Sequence, residues 1–479
     1  MQNKKWLSML LCLLLAMTML LTGCGEQNTG DPETKPETES ADETVAEEDP
    51  LVTLLPDTQY NSEFVIFSAN GDGLVSFEED GEPINSKIVE RTLYLEERFK
   101  LAMSSTASGS VDQIKTSHMA GGGEFDLIWP HPTDGIVDLM ISGVLADLHD
   151  MEYQYLDQPW WNQSQVENYT ANGKLYLGVN DMTITWQSLL GLVYNRDKYK
   201  DYGFEDDLHD VAMAKDFTVE YLETMLMNCQ TDVNGEGESS IAEYGLLFQT
   251  NSSRRWMWAL GERILNKNSD GVFEVALKAD SLTKMCSALY GLLYESGDVL
   301  VEATGPNATF PSSNLWTTFE SGRALMTTFN IGSLYPLLRE LDFDIGYLPL
   351  PKLNDEQEDY LVVEASGMIA IPAVPRNLEM SSAVLEAFAI ISYQDLRPTF
   401  FDVILMGRLS ENPDDYEMLE FLHSSKFYDI GFTLDSNEDA LGIINAVVVD
   451  KKAPDSAAIY LRSKKNLIDA IATLANTID

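Results

Sequence analysis

Basic residues are scarce in this chain. Its 479 residues carry 31 Lys and Arg against 77 Asp and Glu, a formal charge of −46. A polynucleotide backbone or an anionic lipid surface repels such a body, so nucleic acid is a poor partner. Cysteine is scarcer still, and four in the whole chain are too few for a disulfide framework and too scattered for a structural zinc site. The five histidines, at 118, 131, 149, 209 and 423, show no metal-ligand spacing. There is no G-x-S-x-G, no H-E-x-x-H, no P-loop and no G-x-G-x-x-G after a strand, which removes the commonest signatures of hydrolase, metalloprotease and nucleotide chemistry. Beyond the first two dozen residues no apolar run is long enough to span a bilayer. What remains is ordinary globular material, 44% apolar, 10% aromatic and 23% charged residues, and a length enough for about three units of average size or two large lobes.

The N-terminus reads as an address. Lys4 and Lys5 precede an apolar run over residues 6–21, of signal-peptide length, which ends in Leu21-Thr22-Gly23-Cys24. That quartet resembles the lipobox of bacterial lipoproteins, whose cysteine accepts a diacylglycerol and becomes the mature N-terminus. Residues 1–23 are thus expected to be removed, and Cys24 to hold the protein on the extracellular face of the membrane by lipid alone. Residues 24–50 follow with ten acidic residues, one Lys and no aromatic. Such a segment cannot bury enough apolar surface to offset its ordering entropy, so it reads as an extended acidic tether.

The body begins near residue 51. Phe64-Val65-Ile66-Phe67 is a buried-strand pattern running into the turn 68–73. Residues 84–101 place Ile88, Val89, Leu93, Leu95 and Phe99 at helical spacing, with charge on the other face. After three glycines, residues 125–129 form a second strand and 135–145 return to helical spacing. Strand, helix, strand, helix predicts a parallel sheet covered by helices. Further strands are expected at 173–177, 189–194, 244–249, 325–329, 343–348 and 367–371, and helices at 219–229, 256–265, 282–294 and 381–393; 178–187 is too irregular for a helix.

Several of these segments resemble the extracellular solute-binding proteins of bacterial ABC importers, carbohydrate type (family 1). FDLIWPHPTDGIVDLMISGVLADLHDM is similar to that family's third strand and following helix, and GKLYLGVNDMTITWQSLLGLVYNRDKYKDYG to its first passage between lobes. FESGRALMTTFNIGSLYPLL, FDIGYLPLPK and SGMIAIPAVPRNLEMSSAVLEAFAIIS resemble the return passage and the final crossing. The resemblance implies an α/β, two-lobed periplasmic-binding-protein-like fold of type II, its lobes joined by crossing strands. By analogy, residues 51–190 with 327–366 form lobe one, and 191–326 with 367–479 form lobe two. It also implies a monomeric binding protein, not an enzyme, that encloses a carbohydrate by hinge closure and hands it to a membrane permease.

A sugar offers an apolar ring face to aromatic plates and a rim of hydroxyls to amides and carboxylates. Ligands of α/β sheets bind beyond the carboxyl ends of the strands. Trp129 ends the second strand and Trp186 precedes a crossing strand, so both are candidate plates, alongside Trp256 and Trp258. The last two are two residues apart and face different directions on a helix, so at most one faces ligand. Trp160-Trp161 resembles a segment of the family that packs the lobe. Candidate polar contacts are Asn70 after the first strand, Asp181 before the crossing and Asn330 at the end of the returning strand. Asn70 serves equally as a turn residue ahead of Gly71. Residues 232–243 match the EF-hand calcium loop, with Asp232, Asn234, Glu236 and Glu243 at the ligand positions and Gly237 at the sharp turn. Glu236 in place of a shorter side chain, and a strand rather than a helix afterwards, favour a plain acidic turn over a structural calcium; no cofactor is otherwise required. Cys229 and Cys286 are read as buried thiols in preference to a disulfide. Two rival functions stay open at this level: a cell-surface glycoside hydrolase with a carboxylate pair, and a binding protein for a non-sugar solute.

Overall fold

β1 (Ser62–Ser68) forms as the apolar run requires, with Phe64, Ile66 and Phe67 all fully buried. β2 (Leu101–Thr106) and β3 (Leu127–Trp129) flank it, both parallel. A strand with little polar alternation suits a parallel sheet covered on both faces. One cover is the helix Pro83–Phe99, which presents Ile84, Ile88, Leu95 and Phe99 to the core. Proline at its first turn forfeits no helical hydrogen bond, and Lys100 ends it in the left-handed conformation (φ 52°). Inside this helix Arg91 is 1% exposed. Its Nη1 donates to Ser392 Oγ (2.6 Å) and its guanidinium lies 4.9 Å from the centre of the Phe388 ring, fastening the helix to the chain's later helix Leu378–Ile391.

The computed structural model describes residues 49–68, 74–106, 109–130, 135–184, 188–227, 229, 243–296, 299–302, 312–330, 341–363, 367–402, 412–435, 440 and 442–478. Asp49–Asp479 clusters as one compact unit. Cys24, the acidic tether, Asn70, Trp186, Asp232, Asn234 and Glu236 lie outside the described residues. No described helix is long and apolar enough to cross a membrane.

A second sheet is built from β4 (Leu190–Asn195), β5 (Tyr244–Phe248), β8 (Val299–Val301), β9 (Ala324–Asn330) and β10 (Ile345–Leu348), in the order β10-β4-β9-β5-β8. β9, β5 and β8 are parallel; β4 runs antiparallel to β9 and to β10. Two small ladders complete the strands: the hairpin of β6 (Leu265–Lys267) with β7 (Phe273–Val275), and β11 (Val362–Val363) beside β12 (Lys426–Phe427).

The pairing corrects the expected lobe boundaries. The analogy assigns residues 327–366 to lobe one, yet Ala324–Asn330 and Ile345–Leu348 both pair with β4 in the second sheet. It assigns 367–479 to lobe two, yet at the start of that range Ile369 pairs with Gly178, Ala370 with Ile128 and Pro372 with Leu145, all on the first sheet's side. Periodicity identifies a strand but carries no information about which sheet edge it joins. Local expectations fare better. The helices are Val219–Leu226, Ser253–Ala259, Ala279–Tyr290 and Leu378–Ile391. Residues 173–177, expected as a strand, make no ladder; Leu175 O accepts a single bond from Leu148 N (2.8 Å), and pairing resumes at Gly178.

Candidate functional site

The chain passes between the two sheets at one particular end of each. It leaves the first sheet after Gly178, turns through Asp181–Thr183 and enters the second at Leu190, opposite Asn330, the last residue of β9. It comes back from Val363 to Met368, whose N–H donates to Pro130 O (3.2 Å), directly after Trp129 at the end of β3. The first crossing therefore enters the second sheet at the carboxyl end of β9, and the return, which leaves from the β11–β12 ladder, reaches the first sheet at the carboxyl end of β3, the kind of edge where α/β folds place ligands.

On the first sheet the register aligns Ser68 with Trp129 and Phe67 with Thr106, so three strand ends share one edge. Ser68 N–H donates to Thr106 Oγ1 (3.4 Å). Trp129 sits at that edge as expected, but 7% exposed, with most of the ring in the core rather than forming an open plate.

On the second sheet the edge is polar. Glu302, just past β8, accepts from the backbone N–H (2.9 Å) and Oγ1 (3.1 Å) of Thr250. Gln249 N–H donates to Thr328 Oγ1 (3.4 Å). Asn330 Oδ1 accepts from Arg255 Nη1 (2.5 Å), a half-buried guanidinium on the helix Ser253–Ala259. Carboxylate, guanidinium and amide groups on one rim suit a ligand rich in hydroxyls. Arg255, Glu302 and Thr250 were missed in the sequence. Strand-end counting reaches Glu302, whereas Arg255 arrives through its helix and leaves no periodic signal.

Two of the candidate tryptophans are structural. Trp256 is 0% exposed and packs against Phe248, ring centroids 5.5 Å apart. Trp258 is 1% exposed; it packs on Phe432 and donates its Nε1–H to Asp429 Oδ2 (3.0 Å). The helix carrying them turns both inward, so neither serves as a plate. Trp160 and Trp161 pack the first half as expected, their indole N–H groups both held by Glu386 (2.6 and 3.0 Å).

Asp181 stands apart from both strand edges. Asn180 Oδ1 accepts Met182 N–H (2.9 Å) and starts the turn, and Ile184 closes it at φ 47°, a left-handed conformation costly for a β-branched residue. Asp181 is 6% exposed, and burial pushes its carboxyl up to about 6, against the opposing influence of Arg397 and Lys426. It lines a cavity of about 270 Å³ at the junction, not the strand-end rim. A larger cavity, about 660 Å³, lies beside Tyr199, Tyr221 and Asn354, at the far end of the second sheet from Asn330. We assign the candidate site to the rim because the first crossing enters the second sheet there; size alone does not relate a cavity to the hinge.

Of the expected calcium ligands only Glu243 is described. It pairs with Lys198 (3.1 Å) and accepts from Tyr202 Oη (3.3 Å). Among the described residues no group of three His, Cys, Asp or Glu is arranged to hold a metal ion. Cys229 and Cys286 are both buried and form no disulfide; burial pushes the Cys286 thiol up to about 12.

Two α/β halves connected at their strand ends define a two-lobed binding-protein fold, and comparison with solved structures gives the same architecture. The ABC substrate-binding protein Lmo0181 from Listeria monocytogenes, solved with cycloalternan, superposes with a TM-score of 0.54 at 15% identity, covering 86% of this chain and 98% of that one. The GacH receptor of Streptomyces glaucescens, solved unliganded and with acarbose, gives 0.54 at 14% identity over 85% and 98%. A family 1 extracellular solute-binding protein from Bifidobacterium longum subsp. infantis gives 0.54 at 14% identity over 85% and 99%. No protein-family model matches the sequence, and no curated protein matches it.

Proposed function

We propose that this protein is a lipid-anchored substrate-binding protein that captures an oligosaccharide between its lobes and delivers it to an ABC permease. The observation that carries the reading is the polar rim of Arg255, Asn330, Glu302 and Thr250, set at the edge where the first crossing enters the second sheet. Planar amide, guanidinium and carboxylate groups recognise the hydroxyls of a sugar. Structurally similar proteins solved with cycloalternan and acarbose support a carbohydrate as cargo. Ligand favours the closed arrangement by the contacts it makes only there, and the closed form is what a permease distinguishes. Cys24 supplies the anchor, and the acidic tether holds the body off the membrane.

A thermal-shift screen over mono- and oligosaccharides tests the cargo. A specific sugar present at about 100 times its dissociation constant stabilises the folded state by about 2.7 kcal/mol, and it must be recovered intact. Release of shorter sugars would establish a glycoside hydrolase instead, and a response confined to amino acids or cations would establish a different solute. The anchor is tested by Cys24→Ser, which should move the protein from the membrane fraction into the medium.

A further inference from the structure

The cavity beside Asp181 spans the two halves. From the first comes the segment around Trp161 and Asn180, which pair with each other next to the Gly178–Ile369 bridge. From the second come His423 and Lys426, on the helix Pro413–Ser424 and on β12. Arg397 lines it as well, its guanidinium lying 5.5 Å from the centre of the Tyr393 ring.

Three features mark this cavity as built for a ligand. Asn180 is 3% exposed, lines the cavity, and its Nδ2 has no hydrogen-bond partner although its Oδ1 is used in the turn. A buried amide N–H left unmade is costly and calls for an acceptor. The Nε2 of half-buried His423 is likewise unpartnered. Second, Arg397 and Lys426 bring two cations to one small space lined by the single carboxyl of Asp181; Arg397 also lies 3.8 Å from Glu420, which is not part of the lining. Third, about 270 Å³ holds a molecule of a few carbons, smaller than an oligosaccharide.

The geometry points to a second binding site here, for a small hydroxy-carboxylate that bridges the two halves. Its carboxylate accepts from Asn180 Nδ2, Arg397 and Lys426, and its hydroxyl donates to Asp181. Inorganic phosphate satisfies the donors and its P–OH reaches Asp181, but near neutral pH much of it carries a second negative charge, which is set against that carboxylate. The site is separate from the strand-end rim, so its test reads the same whether or not a sugar binds there.

Calorimetric titration of the full chain with glycerate, acetate, inorganic phosphate and glycerol tests the assignment. Glycerate should bind one per chain, more tightly than acetate or phosphate, and glycerol should not bind. Asn180→Asp keeps the oxygen that starts the turn and removes the free donor, so glycerate should weaken by about tenfold or more. Asp181→Asn removes the competing charge, so acetate should tighten by several-fold, a gain that a damaged fold would not produce. Absence of glycerate binding at tens of millimolar, glycerate affinity untouched by Asn180→Asp, phosphate binding more tightly than glycerate, or glycerol binding in its place would each overturn the proposal.

Discussion

The indole N–H of Trp258 donates to Asp429 Oδ2 at 3.0 Å, and that carboxylate also accepts Ile264 N–H and Gly431 N–H, each at 2.8 Å. Asp429 is 3% exposed, so it depends on these donors. Trp258→Phe should therefore cost about 1.5–3 kcal/mol, the range for a hydrogen bond to a charged group. Sugar affinity should stay at the wild-type value. Denaturant unfolding and a binding isotherm check the two halves of this prediction, and normal stability with lost binding in the Trp258→Phe protein would return this indole to the ligand site.

The rim makes the complementary prediction. Arg255 is half-buried and touches Asn330, and Glu302 is half-buried beside Thr250. Arg255→Ala and Glu302→Ala should each weaken oligosaccharide binding by about tenfold or more, equivalent to about 1.4 kcal/mol. Thermal stability should fall by far less than in the Trp258→Phe protein. Equal affinity in both variants would place the cargo elsewhere.

Glu386 links stability to pH. It is fully buried, accepts both Trp160 and Trp161 indole N–H groups, and burial raises its carboxyl to about 7. The folded value lies above the unfolded value of about 4.3, so the folded state holds the proton more tightly. Its stabilising contribution is complete below the unfolded value and is lost as pH rises through about 7. Glu386→Gln should remove this slope and, by setting its amide N–H against an indole N–H, cost about 1–3 kcal/mol near pH 4. Unfolding midpoints of the two proteins across that window give the difference; parallel profiles would refute the assignment.

Arg196 and Asp415 form a two-pronged ion pair (2.6 and 3.1 Å) with side-chain exposures of 12% and 3%. The pair joins the end of β4 to the helix Pro413–Ser424. Arg196 keeps Asp344 (3.5 Å) and the Ile345 carbonyl when Asp415 is lost, so Asp415→Ala should cost about 1–3 kcal/mol, measured by denaturant unfolding. The cost of Asp415→Ala should change little with added salt, because a buried pair is poorly screened.

Individual strands and helices were legible from the chain because their patterns are local, whereas the two-lobed architecture came from the family resemblance. The run Phe64–Phe67 forms as read; of the expected helix face Ile88, Val89, Leu95 and Phe99 are buried, but Leu93 is exposed. The site was legible only in part. Asn330 falls at the rim because it ends a strand, and strand ends can be found by periodicity. Trp256 and Trp258 read equally well as plates or as core, because an indole is large and apolar in either role; a ring partner at Phe248 and a carboxylate at Asp429 decide for the core.

Composition and pattern alone determined that this is a large, acidic chain of alternating strands and helices, since charge balance and hydrophobic period are properties of neighbours along the chain. Only the tertiary structure decided which sheet takes residues 324–330 and 345–348 and which takes 369–372, that Arg255 meets Asn330, and that Asn180 and Asp181 line one cavity with His423 and Lys426. Those pairings join residues tens to hundreds of positions apart, and they are selected by packing and hydrogen-bond satisfaction in three dimensions, which no local spacing encodes.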